Sequence, residues 1–358
     1  MIECIRPYRG LRVLVTGHTG FKGSWLVAWL KRAGARVAGI ALPPEADRPS
    51  LFEAATIGAG IHSTLGDIRE FATVRQCFED FRPEVVFHLA AQALVRRSYR
   101  DPVGTFASNV MGTVHVLEAA RLSPAVRAVV VVTTDKVYEN REWVWGYREN
   151  DRLGGKDAYS ASKAAAELAA GAYRATLLPL AGRVAMATAR GGNVVGGGDW
   201  SEDRLIPDAV RALTTGHDLT LRSPGAVRPW QHVLELCRGY LQLCTRLLES
   251  PAQVAGAWNF GPERENEVPV GQIVKDFFGA WGPSTSRIHI EESGLREAGQ
   301  LRLDHSRARH DLGWQPVLGY AATLEWTAQW YRRYHVGQED ARALVEEQID
   351  RYEQLGAP

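Results

Sequence analysis

The chain has 358 residues, of which 45% are hydrophobic and 23% are charged, and these values are ordinary for a globular protein with a large core. The formal net charge is only +1, and no long basic or acidic block occurs along the chain. The composition therefore excludes the strongly charged surfaces that bind nucleic acid or an anionic membrane, and neither is expected as a partner.

Apolar runs alternate with amphipathic stretches over the first half of the chain. Runs rich in Val, Ala and Leu predict buried strands at residues 11–17, 35–42, 84–91, 127–134 and 182–190. Helical patterns lie between them at residues 22–34, 69–81, 104–122 and 158–179. Strands that are apolar on both faces are typical of parallel sheets covered by helices on both sides. The sequence therefore predicts an α/β protein with a Rossmann-type, doubly wound parallel sheet.

The pattern changes beyond about residue 195, where segments become shorter and rich in Gly, Pro and Trp, as in GGGDW, RSPGAVRPWQHV and WNFGPE. Such segments are expected of a smaller C-terminal α/β domain whose loops form a substrate pocket. We therefore predict a nucleotide-binding domain at residues 1–190 and a mainly substrate-binding domain at 191–358, with some exchange of chain between them. The tail, about residues 338–358, reads as a charged amphipathic helix.

The first predicted strand is followed directly by TGHTGFKGSW, in which three glycines have G-x-x-G-x-x-G spacing at the start of a helix. Glycines at such a turn let backbone N–H groups approach a pyrophosphate at the helix N-terminus, although they also serve close strand–helix packing. The position after the first strand of an α/β chain favours dinucleotide binding. The loop residues predicted to contact the cofactor are Gly17, Thr19, Gly20, Phe21, Lys22 and Gly23.

Further cofactor contacts are predicted where other strands end. Asp67 in GDIR is suited to accept a hydrogen bond from an adenine amino group, and Ile68 lies beside it. The segment HLAAQ offers small side chains for close approach of the cofactor, and its predicted contacts are Leu89, Ala90 and Ala91. The second strand ends at Leu42 without Asp or Glu for the ribose hydroxyls, and no Arg follows immediately. These residues therefore favour NAD over NADP only weakly.

Tyr159 and Lys163 form the sequence YSASK, whose spacing puts both side chains on one face of a helix. A cation beside the phenol favours tyrosinate, which can act as a base toward a sugar hydroxyl. The alternative reading is an exposed Tyr–Lys pair on a helix surface. Asn109 in SNVMGT and Thr134 at the end of an apolar strand strengthen the catalytic reading, because both accompany a nucleotide-binding half.

The same strand end reads TTDKVY at residues 133–138, so Asp135 and Lys136 follow Thr134 directly. Charged residues often occur at strand ends simply because the chain turns into solvent there. A sugar epimerase needs only the hydroxyl at this place. An enzyme that eliminates water across C5 and C6 also needs an acid for the departing hydroxyl and a base for the C5 proton, and this pair supplies both.

Together these motifs resemble the extended short-chain dehydrogenase/reductase family, which oxidises nucleotide sugars at C4 of the hexose. Members that act on dTDP-glucose have Asp followed by Glu at this strand end, whereas Asp followed by Lys resembles the CDP-glucose 4,6-dehydratase branch. The resemblance extends over almost the whole chain, through DKVYENREWVWGYREND, GNVVGGGDW, RPWQHV, WNFGP and LGWQP. One departure is Arg296, which stands before Glu297 and Ala298 where the family pattern has His.

The resemblance implies NAD as the cofactor, which Asn109, Tyr159 and Lys163 would also contact, and CDP-glucose as the substrate. It implies that Tyr159, supported by Lys163, takes the C4 hydroxyl proton while Thr134 holds the C4 oxygen. Lys136 would then remove the C5 proton, for which it must be neutral, and Asp135 would protonate the leaving C6 hydroxyl. The substrate-binding residues that the resemblance implies are Asn193, Arg204, Arg228, Gln231 and Glu297.

Three alternatives stay open at this point. They are a nucleotide-sugar 4-epimerase, a 4,6-dehydratase for another nucleotide-linked hexose, and an NAD-binding Rossmann protein without chemistry. The intact set of Thr, Tyr and Lys counts against the last of these. The family resemblance also implies a homodimer or a dimer of dimers, assembled through the helices at residues 104–122 and 158–179. The stretch at Asp199 and Trp200 is expected to begin a lid-like region.

The four cysteines at positions 4, 77, 237 and 244 are scattered, without the spacing of a metal site or a disulfide framework. We therefore expect reduced thiols and no metal. The N-terminal segment MIECIRPYRGLR lacks the apolar core of a signal peptide, and no stretch of about 20 apolar residues occurs. A cytoplasmic location is predicted.

Overall fold

The computed structural model describes residues 3–182, 184–221, 223–264, 267–291 and 299–356. Its strands are β1 (Arg12–Thr16), β2 (Arg36–Ala41), β3 (His62–Leu65), β4 (Val85–His88), β5 (Ala128–Val132), β6 (Ala185–Gly191), β7 (Asn193–Val195), β8 (Leu219–Leu221), β9 (Val227–His232), β10 (Gly256–Phe260), β11 (Glu267–Pro269) and β12 (Ile288–Ile290).

The α-helices are α1 (Phe21–Arg32), α2 (Leu51–Ala54), α3 (Phe71–Phe81), α4 (Val95–Arg100), α5 (Pro102–Phe106), α6 (Gly112–Leu122), α7 (Ala158–Ala172), α8 (Leu178–Ala181), α9 (Leu205–Thr215), α10 (Val233–Glu249), α11 (Pro251–Val254), α12 (Val270–Trp281), α13 (Tyr320–His335) and α14 (Ala341–Leu355). Short 3₁₀ helices span Glu3–Tyr8 and Asp135–Val137, and π-helical turns span Ala107–Met111, Tyr173–Leu177 and Ala308–Leu312.

Seven strands form one central sheet in the order β10-β6-β5-β4-β1-β2-β3. Each neighbouring pair is parallel, and the pairing of Thr16 with His88 brings the ends of β1 and β4 to the same edge. The order reverses on either side of β1, as expected of a doubly wound sheet. The predicted α/β fold with a Rossmann-type sheet is confirmed. Ligands of such folds bind beyond the carboxyl ends of the strands.

Both faces of the sheet are buried, which explains the continuous apolar runs. On one face, Val13 and Val15 of β1 pack in the same core as Trp25 and Trp29 of α1. On the other, Leu14 joins a second core to which α3 and α6 contribute. Because successive side chains of a strand point to opposite faces, every residue of β1 from Val13 onward must be buried. The sheet is thereby fixed beneath its functional edge.

Two strands of the sheet were not predicted from the sequence. The four residues of β3, HSTL, are mostly exposed and polar, so they lack the apolar run of the other strands. The edge strand β10 comes from the second half of the chain and pairs with β6 in parallel. The division of the chain at residue 190 stays a prediction.

The second half adds a sheet of β11, β9 and β7, a pair of β12 with β8, and the helices that surround them. The helix predicted near the C-terminus is α14, which packs against α1, where the indole of Trp29 donates to the carboxylate of Glu353 at 2.9 Å. Among the helices of the described residues, none combines the length and the apolarity that a membrane crossing requires.

Candidate active site

The glycine loop between β1 and α1 has the close packing that its spacing predicts. Gly17 has a φ of +75°, and a Cβ atom there would lie 2.7 Å from the backbone nitrogen of Ala90. A Cβ atom on Gly23 would lie 2.1 Å from the carbonyl oxygen of Gly17. Side chains at either position would push the loop away from the helix, so only glycine lets the first turn of α1 face the sheet edge. This backbone cradle fits a dinucleotide pyrophosphate.

Lys22, in the first turn of α1, interacts electrostatically with residues of the predicted catalytic site. Burial, together with the charge of Arg204, lowers the pKa of its ammonium group to about 8, while Asp135 and Asp199 oppose the shift. Lys22 is therefore coupled electrostatically to Asp135 of the predicted catalytic stretch.

The other predicted cofactor residues lie along the same edge, with differing freedom to bind. Ile68 is buried, whereas Leu89, Ala90 and Ala91 after β4 are half-buried. Both carboxylate oxygens of Asp67 already accept hydrogen bonds from Arg69, at 2.9 Å from its backbone N–H and 2.5 Å from its guanidinium. An adenine amino group that donates to Asp67 would therefore share the carboxylate oxygens with the donors of Arg69. The contact between Asp67 and adenine stays a prediction.

Sequence reasoning missed His88, which is buried at the end of β4. Its Nδ1 lies 2.7 Å from the hydroxyl of Thr16, and its Nε2 lies 3.0 Å from that of Thr113. Thr113 donates its own proton to the carbonyl of Asn109, so Nε2 must carry the proton of the imidazole. Burial lowers the pKa of His88 to about 3, so the ring stays neutral and links β1, β4 and α6. The only sequence signal was a polar residue at a strand end.

Asn109 lies in the π-helical turn Ala107–Met111, with its side chain engaged by protein groups. Its Oδ1 accepts from the backbone of Gln92 at 2.8 Å, and its Nδ2 donates to the carbonyl of Gln92 and to the hydroxyl of Ser162. Ser162 belongs to α7, between the predicted catalytic residues. The geometry makes Asn109 a connection between the loop after β4 and α7, and a direct contact with the cofactor stays a prediction.

Tyr159 and Lys163 lie on one face of α7 and are both buried, so the exposed Tyr–Lys pair is excluded. Burial raises the pKa of Tyr159 to about 12, which the Thr134 hydroxyl and the charge of Arg204 oppose. Lys163 donates to the carbonyl of Val132 at 3.1 Å, and burial together with the charge of Lys22 lowers its pKa to about 7. The hydroxyl, the phenol and the ammonium group thus meet at the end of β5.

Asp135 and Lys136 lie on the 3₁₀ helix Asp135–Val137, which Thr134 caps by accepting from the Lys136 N–H at 3.3 Å. The Thr134 hydroxyl donates to one oxygen of Asp135 at 2.8 Å. Burial raises the pKa of the Asp135 carboxyl, against the opposing charge of Lys136. The Lys136 ammonium group lies 6.0 Å from the centre of the Tyr159 ring. Asp135 is therefore buried beside Tyr159 and does not have the exposure of an ordinary strand end.

The residues implied to bind substrate surround this centre. Arg204 pairs with Asp199 at 2.8 Å, and its charge acts on Tyr159, while the charge of Arg228 acts on Asp135. Gln231 is buried and donates to the Phe260 carbonyl at 3.0 Å, and its Oε1 has no hydrogen-bond partner among the described residues. Asn193 begins β7 and is half-buried. Glu297, Arg296 and Ala298 lie outside the described residues.

Asp199 and Trp200 form a buried anchor at the point where the sequence suggested the start of a lid. The backbone N–H of Asp199 donates to the phenol of Tyr331 at 2.8 Å, and that phenol donates back to the carbonyl of Asp199. Trp200 packs edge-on against Trp330 of the same helix, α13. Arg204 is therefore held by a carboxylate that is itself fixed to α13.

Comparison with known proteins agrees with this arrangement. The NAD dependent epimerase/dehydratase family matches residues 13–261. A CDP-glucose 4,6-dehydratase of Salmonella typhimurium is 46% identical over 336 residues, which cover 93% of each chain. A UDP-glucose 4-epimerase of Mycolicibacterium smegmatis is 29% identical over 90% of this chain and 99% of its own.

Solved structures extend the comparison to the fold. A dTDP-glucose 4,6-dehydratase from Streptomyces venezuelae, determined with NAD bound, has a TM-score of 0.77 and 25% identity over 92% of this chain and 98% of its own. The likeness thus runs through both the glycine loop and the segments that surround the reacting side chains.

Proposed function

This chain belongs to the NAD dependent epimerase/dehydratase family, and we propose that it is a CDP-glucose 4,6-dehydratase, a hydro-lyase that regenerates NAD in each turnover. The observation that carries the proposal is the burial of Asp135, whose charge acts on Tyr159, together with Lys136 on the same short turn, 6.0 Å from the Tyr159 ring. A 4-epimerase needs neither an acid nor a base there. The product is the CDP-linked 4-keto-6-deoxyglucose.

The first half of the reaction is the oxidation of C4. Tyr159 takes the proton of the C4 hydroxyl, and Thr134 holds the C4 oxygen. Arg204 favours the ionised phenol because its charge lowers the pKa that burial raises. Lys163, which is fixed to the end of β5 through the carbonyl of Val132, is assigned the support of the phenol on the family resemblance. When bound, NAD accepts the hydride from C4 and returns it to C6.

The second half is the elimination of water. A ketone at C4 makes the neighbouring C5 proton acidic, so a base of moderate strength can remove it. We assign this step to Lys136, acting in its neutral form. Asp135 gives a proton to the departing C6 hydroxyl, and water leaves. C5 is then reprotonated as the hydride returns to C6, which gives the 4-keto-6-deoxy product. The raised pKa of the Asp135 carboxyl supports this role, because an acid must hold its proton until the leaving group needs it.

The residues that would hold NAD form the edge above β1, β2 and β4. The backbone of the glycine loop faces the pyrophosphate, with Thr19, Gly20, Phe21 and Lys22 around it. The hydroxyl of Thr19 donates to the carbonyl of Leu42 at 2.9 Å, which ties the loop to the end of β2. Since no acidic side chain follows Leu42 directly, we expect binding that is not tight. Added NAD should stimulate the purified protein, and a marked preference for NADP would contradict this assignment.

A nucleotide-linked sugar is the substrate class, and CDP-glucose is the member that we propose. Arg228 is the main candidate for the diphosphate, because a guanidinium group matches phosphate oxygens. Arg204, Asn193 and Gln231 would contact the sugar or the diphosphate, and Glu297 the nucleotide side. We also propose a dimer or a dimer of dimers built from α6 and α7, and a cytoplasmic location.

Incubation with NAD and a panel of nucleotide-activated glucoses tests the proposal. CDP-glucose should give a 4-keto-6-deoxy sugar with a kcat/KM well above those for dTDP-, UDP- and GDP-linked hexoses. Comparable kcat/KM values for sugars linked to two different nucleotides would overturn the assignment of CDP-glucose as the substrate but not the assignment of the dehydration reaction. A C4 epimer as the product would favour an epimerase instead, and no turnover with any sugar would overturn the enzyme assignment.

A further inference from the structure

Both ends of the catalytic stretch, residues 133–138, are fastened to one buried ion pair. The pair consists of Glu167 on α7 and Arg190 on β6, which meet at 2.9 Å and have 3% and 4% of their side chains exposed. Before the reacting residues, Thr133 donates its hydroxyl to Glu167 at 2.5 Å. After them, Tyr138 accepts from the guanidinium of Arg190 at 2.9 Å. We call Glu167 and Arg190 the ion-pair anchor.

Glu167 has a full set of partners. One carboxylate oxygen accepts from Thr133 and from Nε of Arg190, and the other accepts from Thr188 at 2.8 Å and from a terminal nitrogen of Arg190. With four donors, the carboxylate is held in one orientation. The hydroxyl of Thr133 therefore has a fixed acceptor. This bond also fixes the backbone that leads into Thr134.

The same helix carries the redox residues. Glu167 follows Lys163 by one helical turn, and Lys163 donates to the carbonyl of Val132, the residue before Thr133. Two adjacent residues of the strand end are thus tied to two successive turns of α7. These bonds set the distance between the helix that carries Tyr159 and the stretch that carries Asp135 and Lys136.

Arg190 extends the connection on the other side. Its guanidinium group lies 5.1 Å from the centre of the Tyr138 ring and also donates to the carbonyl of Glu149 at 3.0 Å. The Tyr138 hydroxyl in turn donates to Asn259 of β10 at 2.7 Å. The residue that ends the catalytic stretch is therefore fixed to the edge of the central sheet.

We propose that the ion-pair anchor, through Thr133 and Tyr138, is a positioning device that holds the elimination residues Asp135 and Lys136 in register with the redox residues on α7. The inference rests on the proposed dehydratase function. The anchor acts at both ends of a six-residue stretch, so weakening one end should misplace Lys136 and Asp135 relative to the C5 proton and the C6 hydroxyl. Oxidation at C4 depends mainly on groups next to α7 and should be less affected.

Thr133→Val tests the first end without leaving a buried charge unpaired. Thr188→Val is the matched control, since it removes the same kind of bond to the same carboxylate but from β6, away from the catalytic stretch. Thr133→Ser restores the hydroxyl. Each variant would be mixed with CDP-glucose and NAD, and bound NADH, deuterium exchange at C5 in deuterated water and product release would be followed in time.

We expect Thr133→Val to accumulate NADH and to eliminate water at least about tenfold more slowly than the wild type, because small displacements of reacting groups cost large factors in rate. Thr188→Val should lose similar stability in thermal unfolding yet keep the wild-type partition between NADH and product. Thr133→Ser should recover the partition. Equal kinetics in Thr133→Val and Thr188→Val, or no recovery in Thr133→Ser, would overturn the inference.

The second end is tested by Tyr138→Phe against Tyr147→Phe. The Tyr147 ring stacks on Tyr138 with the ring centres 5.1 Å apart, but its hydroxyl bonds to Asn140 and to the backbone of Arg141 rather than to the anchor. Only Tyr138→Phe should accumulate NADH. An equal ratio of bound NADH to released product in the two variants would contradict the positioning role. A wild-type enzyme without 4-keto-6-deoxy product would overturn the proposed function and this inference together. If the wild type forms the product and each test variant has the same kinetics as its control, only the inference would be overturned.

Discussion

Two buried carboxylates, Asp135 and Glu167, lie on either side of Thr133 and Thr134 and differ in almost every respect. Glu167 accepts four hydrogen bonds, two of them from Arg190, and these lower the pKa of its carboxyl in spite of burial. Asp135 accepts from Thr134, while its Oδ2 has no hydrogen-bond partner in the described part of the chain, and burial raises the pKa of its carboxyl. The surroundings of Glu167 favour its ionised form, whereas burial of Asp135 favours its protonated form.

The difference separates a carboxylate held in a structural ion pair from the carboxyl that we propose as a proton donor. Burying an ionised carboxylate costs several kcal/mol unless donors and a counter-charge surround it, as they do at Glu167. At Asp135 burial outweighs the nearby charges of Lys136 and Arg228 and raises the pKa of the carboxyl, and one oxygen stays available for another partner. Loss of the Glu167 charge itself should therefore lower stability more than loss of the Asp135 carboxyl, which should act mainly on rate.

The largest effect is expected in the region of Asp135, from Tyr159→Phe. The substitution keeps the ring but removes the hydroxyl that we propose as the base for the C4 proton. C4 oxidation, measured as NADH formation in a single turnover, should fall by roughly 10² to 10⁴, the range typical of lost acid–base catalysis. The melting temperature should change little. Tyr173→Phe, which removes a phenol that contacts Glu118 at 3.2 Å, is the control. Near-normal oxidation in Tyr159→Phe would mean that another group takes the proton.

Lys136→Ala should separate the two half-reactions. Tyr159, Lys163 and Thr134 are untouched, so NADH should still form on the enzyme when substrate is added. Elimination should fall by about 10² or more, because the C5 base is missing. In deuterated water the wild type should place deuterium at C5 of the product, while the variant should neither exchange C5 hydrogen nor release product. Lys156→Ala, which changes an exposed lysine nearby, is the control. Dehydration at a wild-type rate in Lys136→Ala would reduce Lys136 to a charged strand-end residue.

The sequence predicts the parts of this site that depend on local patterns. The apolar run before Gly17 identifies β1, and the glycine spacing identifies the loop, because both signals lie within a few adjacent residues. The YSASK spacing likewise places Tyr159 and Lys163 on one helical face. The convergence of Thr134, Asp135 and Tyr159 follows once the carboxyl ends of parallel strands are known to share an edge.

The parts that sequence reasoning missed depend on distant partners. Glu167 stands in AAAELAA, where a single glutamate reads as a solvent-facing residue of a helix. Its burial follows only from Arg190 and from the two threonine hydroxyls, which reach it from other elements of the fold. His88 was missed for the same reason. Strand β10 also escaped prediction, because a short apolar run does not show which sheet it will join.

Glu167→Gln should reduce stability far more than Asp135→Asn. The amide keeps the shape of Glu167 but removes the counter-charge of Arg190, and breaking a buried pair in this way costs about 3 to 5 kcal/mol. Asp135→Asn removes a carboxyl whose neutral form burial favours, so its effect on the unfolding free energy should stay below about 1 kcal/mol. Urea denaturation of both variants measures the difference. Equal destabilisation would show that the two carboxylates are not distinct in the way proposed here.

The smallest effect concerns the pH dependence of stability, and its sign differs between the two carboxylates. The pKa of Glu167 is lowered from its ordinary value of 4.5, so its contribution is present above 4.5 and is lost as pH falls through the folded-state pKa. The pKa of Asp135 is raised from 3.8, so the folded state binds the proton more tightly, and its contribution is lost as pH rises from 3.8 through the raised pKa. Asp135→Asn should therefore gain stability relative to the wild type as pH increases across that window, whereas Glu167→Gln should lose it as pH increases toward 4.5. Unfolding free energies from urea titrations at several pH values give both slopes. If the stability of Asp135→Asn relative to the wild type instead fell as pH increases, Asp135 would be ionised in the folded protein. Another group would then have to supply the acid for the C6 hydroxyl.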